Sequence, residues 1–162
     1  MPSKKMMDAL NKQINAELYS AYLYLAMAAH FESVNLTGSA KWMKVQAREE
    51  TTHALKIYEY VNEVSGRVVL QAIEKPPTDF GAPLEVFEEV LKHEKHVTSL
   101  IHALVQLARS ESDYATEGFL QWFVAEQVEE EANATKIVED LKMIGDARHA
   151  LFMIDRQLGQ RE

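Results

Sequence analysis

The 162-residue sequence contains no cysteine. Disulfides, cysteine-ligated zinc or iron–sulfur sites and thiol nucleophiles are therefore excluded, and a reducing cytoplasm is a compatible location. Glycine and proline are scarce, with 6 and 4 residues, which leaves little material for the turns of a β architecture. Alanine, leucine, glutamate, lysine and methionine dominate instead, and these lose little side-chain freedom in a helix. The composition favours an all-α fold.

The sequence also lacks an excess of positive charge and a long apolar run. Its formal net charge is −8 at pH 7, which disfavours binding to nucleic acid and is compatible with attraction of small cations. The most apolar stretch, residues 19–31, is too short to span a bilayer. The charged first residues are not followed by an apolar signal segment. We therefore expect a soluble intracellular protein with no nucleic-acid or membrane partner.

Apolar periodicity and helix-terminating residues predict four long helices and a short fifth one. Pro83 suits the first turn of the third helix, because that position needs no backbone donor. Gly66 is expected to end the second helix, Asp113 or Ser112 to cap the fourth, and Asp146 to cap the fifth. The predicted helices cover about residues 4–32, 37–65, 83–110, 114–144 and 146–158.

The lengths of the connections predict the topology. The first and third connections are short, so the helices that they join form antiparallel hairpins. The second connection, residues 67–82, is too long for a tight hairpin and can cross the bundle, so that the third helix runs parallel to the second. We expect residues 1–162 to form one domain, an all-α four-helix bundle with one long crossover and a short C-terminal helix.

Each long helix has an apolar stripe that a carboxylate interrupts near its centre. These carboxylates belong to Glu17, Glu50, Glu94 and Glu130, and His53 shares the helix face of Glu50. A single such glutamate would be explained best as an exposed charge on a helix whose buried face has been misassigned. The same misassignment at one level of all four helices is improbable. A buried ion pair is also disfavoured, since no lysine or arginine occupies a stripe position. Two divalent cations at the centre of the bundle explain the pattern better.

An internal repeat supports two similar half-sites. A constant offset of 77 residues relates Glu50 to Gln127 and His53 to Glu130. Two helix hairpins related by a local twofold axis would bring such residues together.

The predicted ligands divide between the two ions. Glu17, Glu50 and His53 would bind one ion, Glu94 and Glu130 the other, and Glu50 would bridge them. Oxygen-rich ligation with a single imidazole suits iron(II) or manganese(II) and disfavours copper(I) and structural zinc. Ligand chemistry alone does not separate iron from manganese.

Three motifs contain or flank these residues: residues 16–22 (AELYSAY), Glu49-Glu50-x-x-His53 and Glu126-Gln127-x-Glu129-Glu130. They resemble motifs of the non-haem bacterial ferritins, a branch of the ferritin-like di-iron proteins. Di-iron bundles of this kind commonly carry Glu-x-x-His on two helices. The sequence departs from that pattern on the fourth helix, where Gln127-x-x-Glu130 stands instead, as in the bacterial branch.

The resemblance implies an iron-storage ferroxidase. Such proteins oxidise two Fe(II) ions per subunit with O2 or H2O2 and store hydrated ferric oxide in a hollow shell, typically a homo-oligomer of 24 subunits. It implies that Gln127 lies beside the second metal and hydrogen-bonds oxygen or water there. The implied ferroxidase centre consists of Glu17, Glu50, His53, Glu94 and Glu130. The implied third iron site, nearer the cavity, consists of Glu49, Glu126, Glu129 and Glu130.

Two aromatic residues correspond to candidate electron donors of that family. Tyr24 lies on the stripe of Glu17, where an aromatic residue is more often core, and a hydrogen bond from its hydroxyl to Glu94 would suit both roles. Packing is the default explanation for Trp122. The histidines other than His53 have no matching partner spacing and are expected at the surface or at its boundary.

Alternatives within the same fold remain. Haem is not expected, because the position after the second-helix ligand is Thr51 and not the methionine of the haem-binding branch. A manganese catalase, an oxygenase component, or a helical scaffold that sequesters metal without catalysis would use similar carboxylates.

Overall fold

The computed structural model describes all 162 residues and contains five α-helices and no strand. The predicted fold class, a four-helix bundle with one long crossover and a short C-terminal helix, is confirmed. None of the helices combines the length and the apolar character that a membrane span requires. The helices are α1 (Lys4–Ser33), α2 (Thr37–Glu63), α3 (Pro83–Ser110), α4 (Tyr114–Ile144) and α5 (Arg148–Leu158).

Local chemistry explains the start of α4. Asp113 caps α4 as predicted, because its Oδ1 accepts from the backbone N–H of Thr116 at 3.0 Å. Two predictions were wrong. Helix α5 begins at Arg148 after Ala147, so Asp146 does not cap it. Helix α2 ends at Glu63, and Ser65 rather than Gly66 adopts the left-handed conformation, with φ 62°.

Two apolar clusters fix the directions of the four long helices. One cluster joins the end of α1, the start of α2, the start of α3 and the end of α4; it includes Phe31, Met43, Phe87 and Leu141. The other joins the opposite ends; it includes Leu10, Ile57, Ile101 and Leu120. Helix α1 is therefore antiparallel to α2, α2 is parallel to α3, and α3 is antiparallel to α4. The predicted metal ligands lie between the two clusters.

Side chains of α1 hold the long crossover against the bundle. Asn11 accepts from the backbone N–H of Val69 at 2.8 Å and donates to the carbonyl of Arg67 at 3.1 Å. Asn15 donates to the carbonyl of Ala72 at 3.0 Å. These bonds satisfy backbone groups of a segment that has no regular structure of its own.

Helix α5 is fixed to the start of α2 by Asp155. Its carboxylate accepts from the backbone N–H groups of Gly38 and Ser39, at 3.2 and 2.7 Å, and from the Ser39 hydroxyl at 2.7 Å. Leu36, at the N-cap position of α2, offers no side-chain acceptor. Asp155 therefore caps α2 from another helix. Gly38 permits this approach, since a Cβ there would lie 1.8 Å from the carbonyl oxygen of Asp155.

Candidate metal centre

A layer of polar side chains crosses the middle of the bundle. All four long helices contribute to it, because each apolar stripe carries its polar residue at this level. Six predicted site residues are between 1% and 5% exposed; they are Glu17, Glu50, His53, Glu94, Gln127 and Glu130. The buried residues of the chain include no lysine or arginine. The carboxylates therefore have no protein cation within the core.

The first half-site, on α1 and α2, consists of Glu17, Glu50 and His53. One candidate ligand atom from each of these residues lies within 4.8 Å of the others. His53 Nδ1 is 3.1 Å from Glu50 Oε2, as their spacing of three residues on one helix allows. Gln13 donates to Glu17 Oε1 at 3.0 Å, whereas Glu17 Oε2 is buried without a hydrogen-bond partner. An unsatisfied carboxylate oxygen beside an imidazole and a second carboxylate is suited to a cation.

The second half-site, on α3 and α4, places Glu94 and Glu130 beside Glu50. Candidate ligand atoms of these three carboxylates also lie within 4.8 Å of one another. Glu50 thus belongs to both groups, as the predicted bridging position requires. Tyr24 donates its hydroxyl to Glu94 Oε1, the contact expected from the sequence. Gln127 Nε2 donates to Glu94 Oε2 at 3.1 Å, so this amide orients a predicted ligand.

Gln46 is a site residue that the sequence analysis missed. Its Nε2 donates to Glu50 Oε1 at 3.0 Å and to Glu130 Oε2 at 2.7 Å, while its Oε1 is buried without a partner. The sequence feature that could have indicated its role is a polar side chain in an apolar stripe, one helical turn before Glu50. Thr98 was also missed; its hydroxyl lies 3.2 Å from Gln127 Nε2 and 2.7 Å from Glu131 Oε2.

Burial of these carboxylates changes their protonation. Desolvation, together with the charges of Glu94 and Glu17, raises the pKa of Glu50 well above its ordinary value. Desolvation also raises the pKa of Glu94, and desolvation and the charge of Glu94 raise the pKa of Glu130 to about 8. The centre therefore holds protons when no cation is bound, and a divalent cation would replace them. The donor set fits hard or borderline divalent cations.

The side chains predicted for a third site are only partly brought together. Glu126 lies at the edge of the centre, where one of its atoms groups with ligand atoms of His53 and Glu130 within 4.8 Å. Glu49 is partly buried and pairs with Arg161 at 2.9 Å. Glu129 is exposed and belongs to none of the groups of candidate ligands.

Trp122 and the histidines other than His53 belong to none of the groups of candidate ligands. Trp122 is 40% exposed, with its ring 5.3 Å from that of His53. His93 lies at the boundary, 2.7 Å from the Ser20 hydroxyl, and burial lowers its pKa to about 4. The histidines other than His53 are exposed or partly buried, as predicted; they are His30, His93, His96, His102 and His149.

Comparison with known proteins agrees with this geometry. A family model described as a ferritin-like domain matches residues 7–144. Over 161 residues, the chain is 48% identical to the bacterial non-heme ferritin of Bacteroides fragilis (strain 638R), covering 99% of this chain and 100% of the relative. It is 40% identical to that of Staphylococcus aureus (strain MRSA252), with coverage of 99% and 97%.

Solved structures agree as well. An open pore ferritin from the archaeon Archaeoglobus fulgidus shows a TM-score of 0.99 at 53% identity, and the match covers 100% of both chains. An engineered closed form of the A. fulgidus ferritin also gives a TM-score of 0.99 at 53% identity, covering 100% of this chain and 99% of the other. The motifs, the fold and these similarities together establish that the chain belongs to the ferritin family, with bacterial non-haem ferritins among its close relatives.

Proposed function

We propose that this chain is a cytoplasmic iron-storage ferritin that oxidises Fe(II) to Fe(III) with O2 or H2O2 at its buried centre. The observation that carries the proposal is the set of four buried carboxylates and one imidazole with no protein cation to balance them. Two Fe(II) ions would supply four positive charges for four carboxylates. Iron is here the substrate and the cargo of the protein.

Each half-site has a distinct part in binding the substrate. Glu17, Glu50 and His53 would hold one Fe(II), and Glu94 and Glu130 the other, with Glu50 between them. Gln127 and Tyr24 orient Glu94 through their hydrogen bonds to its carboxylate. Iron binding would displace the protons that the raised pKa values of Glu50 and Glu130 keep in the metal-free centre.

A third iron ion would bind at Glu49, Glu126 and Glu129 together with Glu130. The grouping of Glu126 with His53 and Glu130 supports this site, because it extends the row of ligand atoms beyond the centre. The exposure of Glu129 means that its side chain would have to turn inward to take part. We expect this site to bind more weakly than the other two.

We further propose that 24 copies form the storage shell. Large apolar side chains lie exposed on α1 and on the crossover, including Tyr22, Leu25 and Leu70, at 50%, 49% and 65%. Exposed apolar surface of this kind suits contacts between copies. Light scattering after size exclusion is expected to give a particle about 24 times the mass of the 18.5-kDa chain. A monomer or dimer would contradict the shell.

Stopped-flow absorbance after aerobic addition of Fe(II) tests the chemistry. We expect Glu50→Ala and His53→Ala each to slow the rapid phase of Fe(II) oxidation by about 100-fold or more. Mutation of residues that only support metal ligands already lowers metal affinity or activity by about 10- to 100-fold. His149→Ala, which alters an exposed histidine outside the centre, is the control and should leave the rate unchanged. If both ligand variants oxidised iron as fast as the parent, the assigned centre would be wrong.

A further inference from the structure

The segment after α5 folds back onto α2 and places one guanidinium there. Arg161 Nη2 donates to Glu49 Oε2 at 2.9 Å, and Nη1 donates to the carbonyl of Trp42 at 3.4 Å. The Arg161 Cζ also lies 4.5 Å from the centroid of the Trp42 ring, a favourable cation–π distance. Trp42 is only 7% exposed and packs into an apolar cluster, so it is a fixed support for the guanidinium.

The position of this contact is set by the fold. Asp155 fixes α5 to the start of α2 through Gly38 and Ser39, and Arg161 follows within six residues of Asp155. Glu49 precedes the central ligand Glu50, and its charge contributes to the raised pKa of Glu130. Arg161 therefore neutralises a carboxylate whose field reaches the metal centre.

We propose that Arg161 competes with the third iron ion for Glu49 and so weakens that site. This inference rests on the third site proposed above. A guanidinium that donates to Glu49 Oε2 neutralises the carboxylate and occupies a ligand atom that the cation needs. The pair is partly solvated, since the side chains of Glu49 and Arg161 are 43% and 21% exposed, and such pairs are weak enough to exchange. The Trp42 ring keeps the displaced guanidinium close, so the contact can re-form when the cation leaves.

Binding of the redox-inert cation Zn(II) to the assembled, metal-free protein tests the competition without any measurement of activity. We expect Arg161→Gln to tighten the weakest class of sites in calorimetric titration by about two- to five-fold, the range of a partly exposed ion pair. Arg156→Gln is the matched control. Arg156 is exposed on α5, contacts the Phe152 ring and makes no contact with Glu49, and its substitution changes the net charge equally. In Arg156→Gln, the zinc affinity of the weakest class of sites should equal that of the parent. Melting temperatures near that of the parent will show that both variants fold.

A second pair of variants separates this inference from the third site itself. Glu49→Gln is expected to abolish or strongly weaken the weakest class, and Arg161→Gln should then have no effect in the Glu49→Gln background. If Glu49→Gln leaves all classes unchanged, the third site at Glu49 is wrong. If Glu49→Gln acts as expected but Arg161→Gln behaves like Arg156→Gln or weakens zinc binding, the competition by Arg161 is wrong.

Discussion

The two half-sites of the centre occupy equivalent places in the bundle but differ in chemistry. Glu17 on α1 corresponds to Glu94 on α3, as the offset of 77 residues requires. On the next helix of each hairpin the residues diverge, because Gln127 stands where the first half-site has Glu50, and Glu130 stands in place of His53. The ligand positions thus repeat between the two hairpins at this level, while the donor atoms differ.

This difference changes the hydrogen bonding and protonation of each half-site in the metal-free protein. The first half-site offers an imidazole, and Glu17 Oε2 has no partner. In the second half-site, Tyr24 and Gln127 donate to Glu94, Gln46 donates to Glu130, and the pKa of Glu130 is raised to about 8. A cation must displace protons in either half-site, since burial raises the pKa of Glu50 as well. In the second half-site it must also disturb the two hydrogen bonds to Glu94 and has no imidazole to bind. We therefore expect the first half-site to bind its ion more tightly.

The largest effect should come from removing one equivalent carboxylate from each side. We expect Glu17→Ala and Glu94→Ala each to lose one of the two tight zinc ions, with an affinity loss of about 100-fold or more at the altered half-site. Glu17→Ala should remove the tighter ion and Glu94→Ala the weaker one. Calorimetric titration of metal-free protein measures both. Equal curves for the two variants would contradict different half-sites.

Glu130 of the second half-site should also contribute to how the stability of the metal-free protein depends on pH. Because the pKa of Glu130 is raised from 4.5 to about 8, the folded chain keeps a proton that the unfolded chain releases above about pH 4.5. Stability should therefore fall as the pH rises from about 4.5 to about 8. Each kcal/mol lost from the free energy of unfolding lowers Tm by about 2–4 °C for a chain of this length.

Thermal unfolding of chelator-treated protein between pH 5 and pH 8.5 measures this slope. Glu130→Gln, which cannot ionise, should make the slope less steep, whereas Glu50 and Glu94 retain their part of it. Glu139→Gln, at an exposed position on the same helix, should leave the slope unchanged. Identical slopes for Glu130→Gln and the parent would show that Glu130 does not titrate in this range.

Exchanging the divergent residues should make the half-sites alike. The double variant Gln127→Glu/Glu130→His gives the second half-site the Glu-x-x-His pattern of the first. We expect its zinc affinity to rise by about 10-fold, since zinc favours imidazole ligands. The reverse exchange, Glu50→Gln/His53→Glu, should weaken the first half-site. An unchanged ratio of the two dissociation constants would mean that these residues do not cause the difference.

The sequence predicted those features whose chemistry is unusual in a core. A glutamate in an apolar stripe stands out, so Glu17 and Glu94 could be placed at one level from helical spacing alone. Gln46 carries no charge, and its contact with Glu130 joins residues 84 positions apart, so periodicity could not assign its role. The capping of α2 by Asp155 depends on how α5 docks. Such contacts are set by tertiary packing, which a repeat along one helix does not contain.

The glutamines behind the carboxylates allow a further test of the comparison. Gln46 joins the two half-sites through Glu50 and Glu130, whereas Gln13 contacts only Glu17. We expect Gln46→Leu to weaken both zinc ions by about 10-fold, because the carboxylates lose a shared donor. Gln13→Leu should affect the first half-site alone. If Gln46→Leu changed only one of the two affinities, the amide would not couple the half-sites.

The smallest effect should come from the Tyr24 hydroxyl, which supports one ligand of the second half-site. Burial and the charge of Glu94 raise the Tyr24 pKa well above its ordinary value, so the phenol remains a donor. Tyr24→Phe keeps the ring in the core and removes only the bond to Glu94. We expect zinc affinity at the second half-site to fall by about two- to five-fold, within the range of one hydrogen bond, with the first half-site unchanged. Tyr19→Phe, whose ring neighbours His93 but makes no bond to Glu94, is the matched control. A larger loss at the first half-site than at the second would mean that Tyr24 acts through the bridging Glu50, and the division of the centre into separable halves would fail.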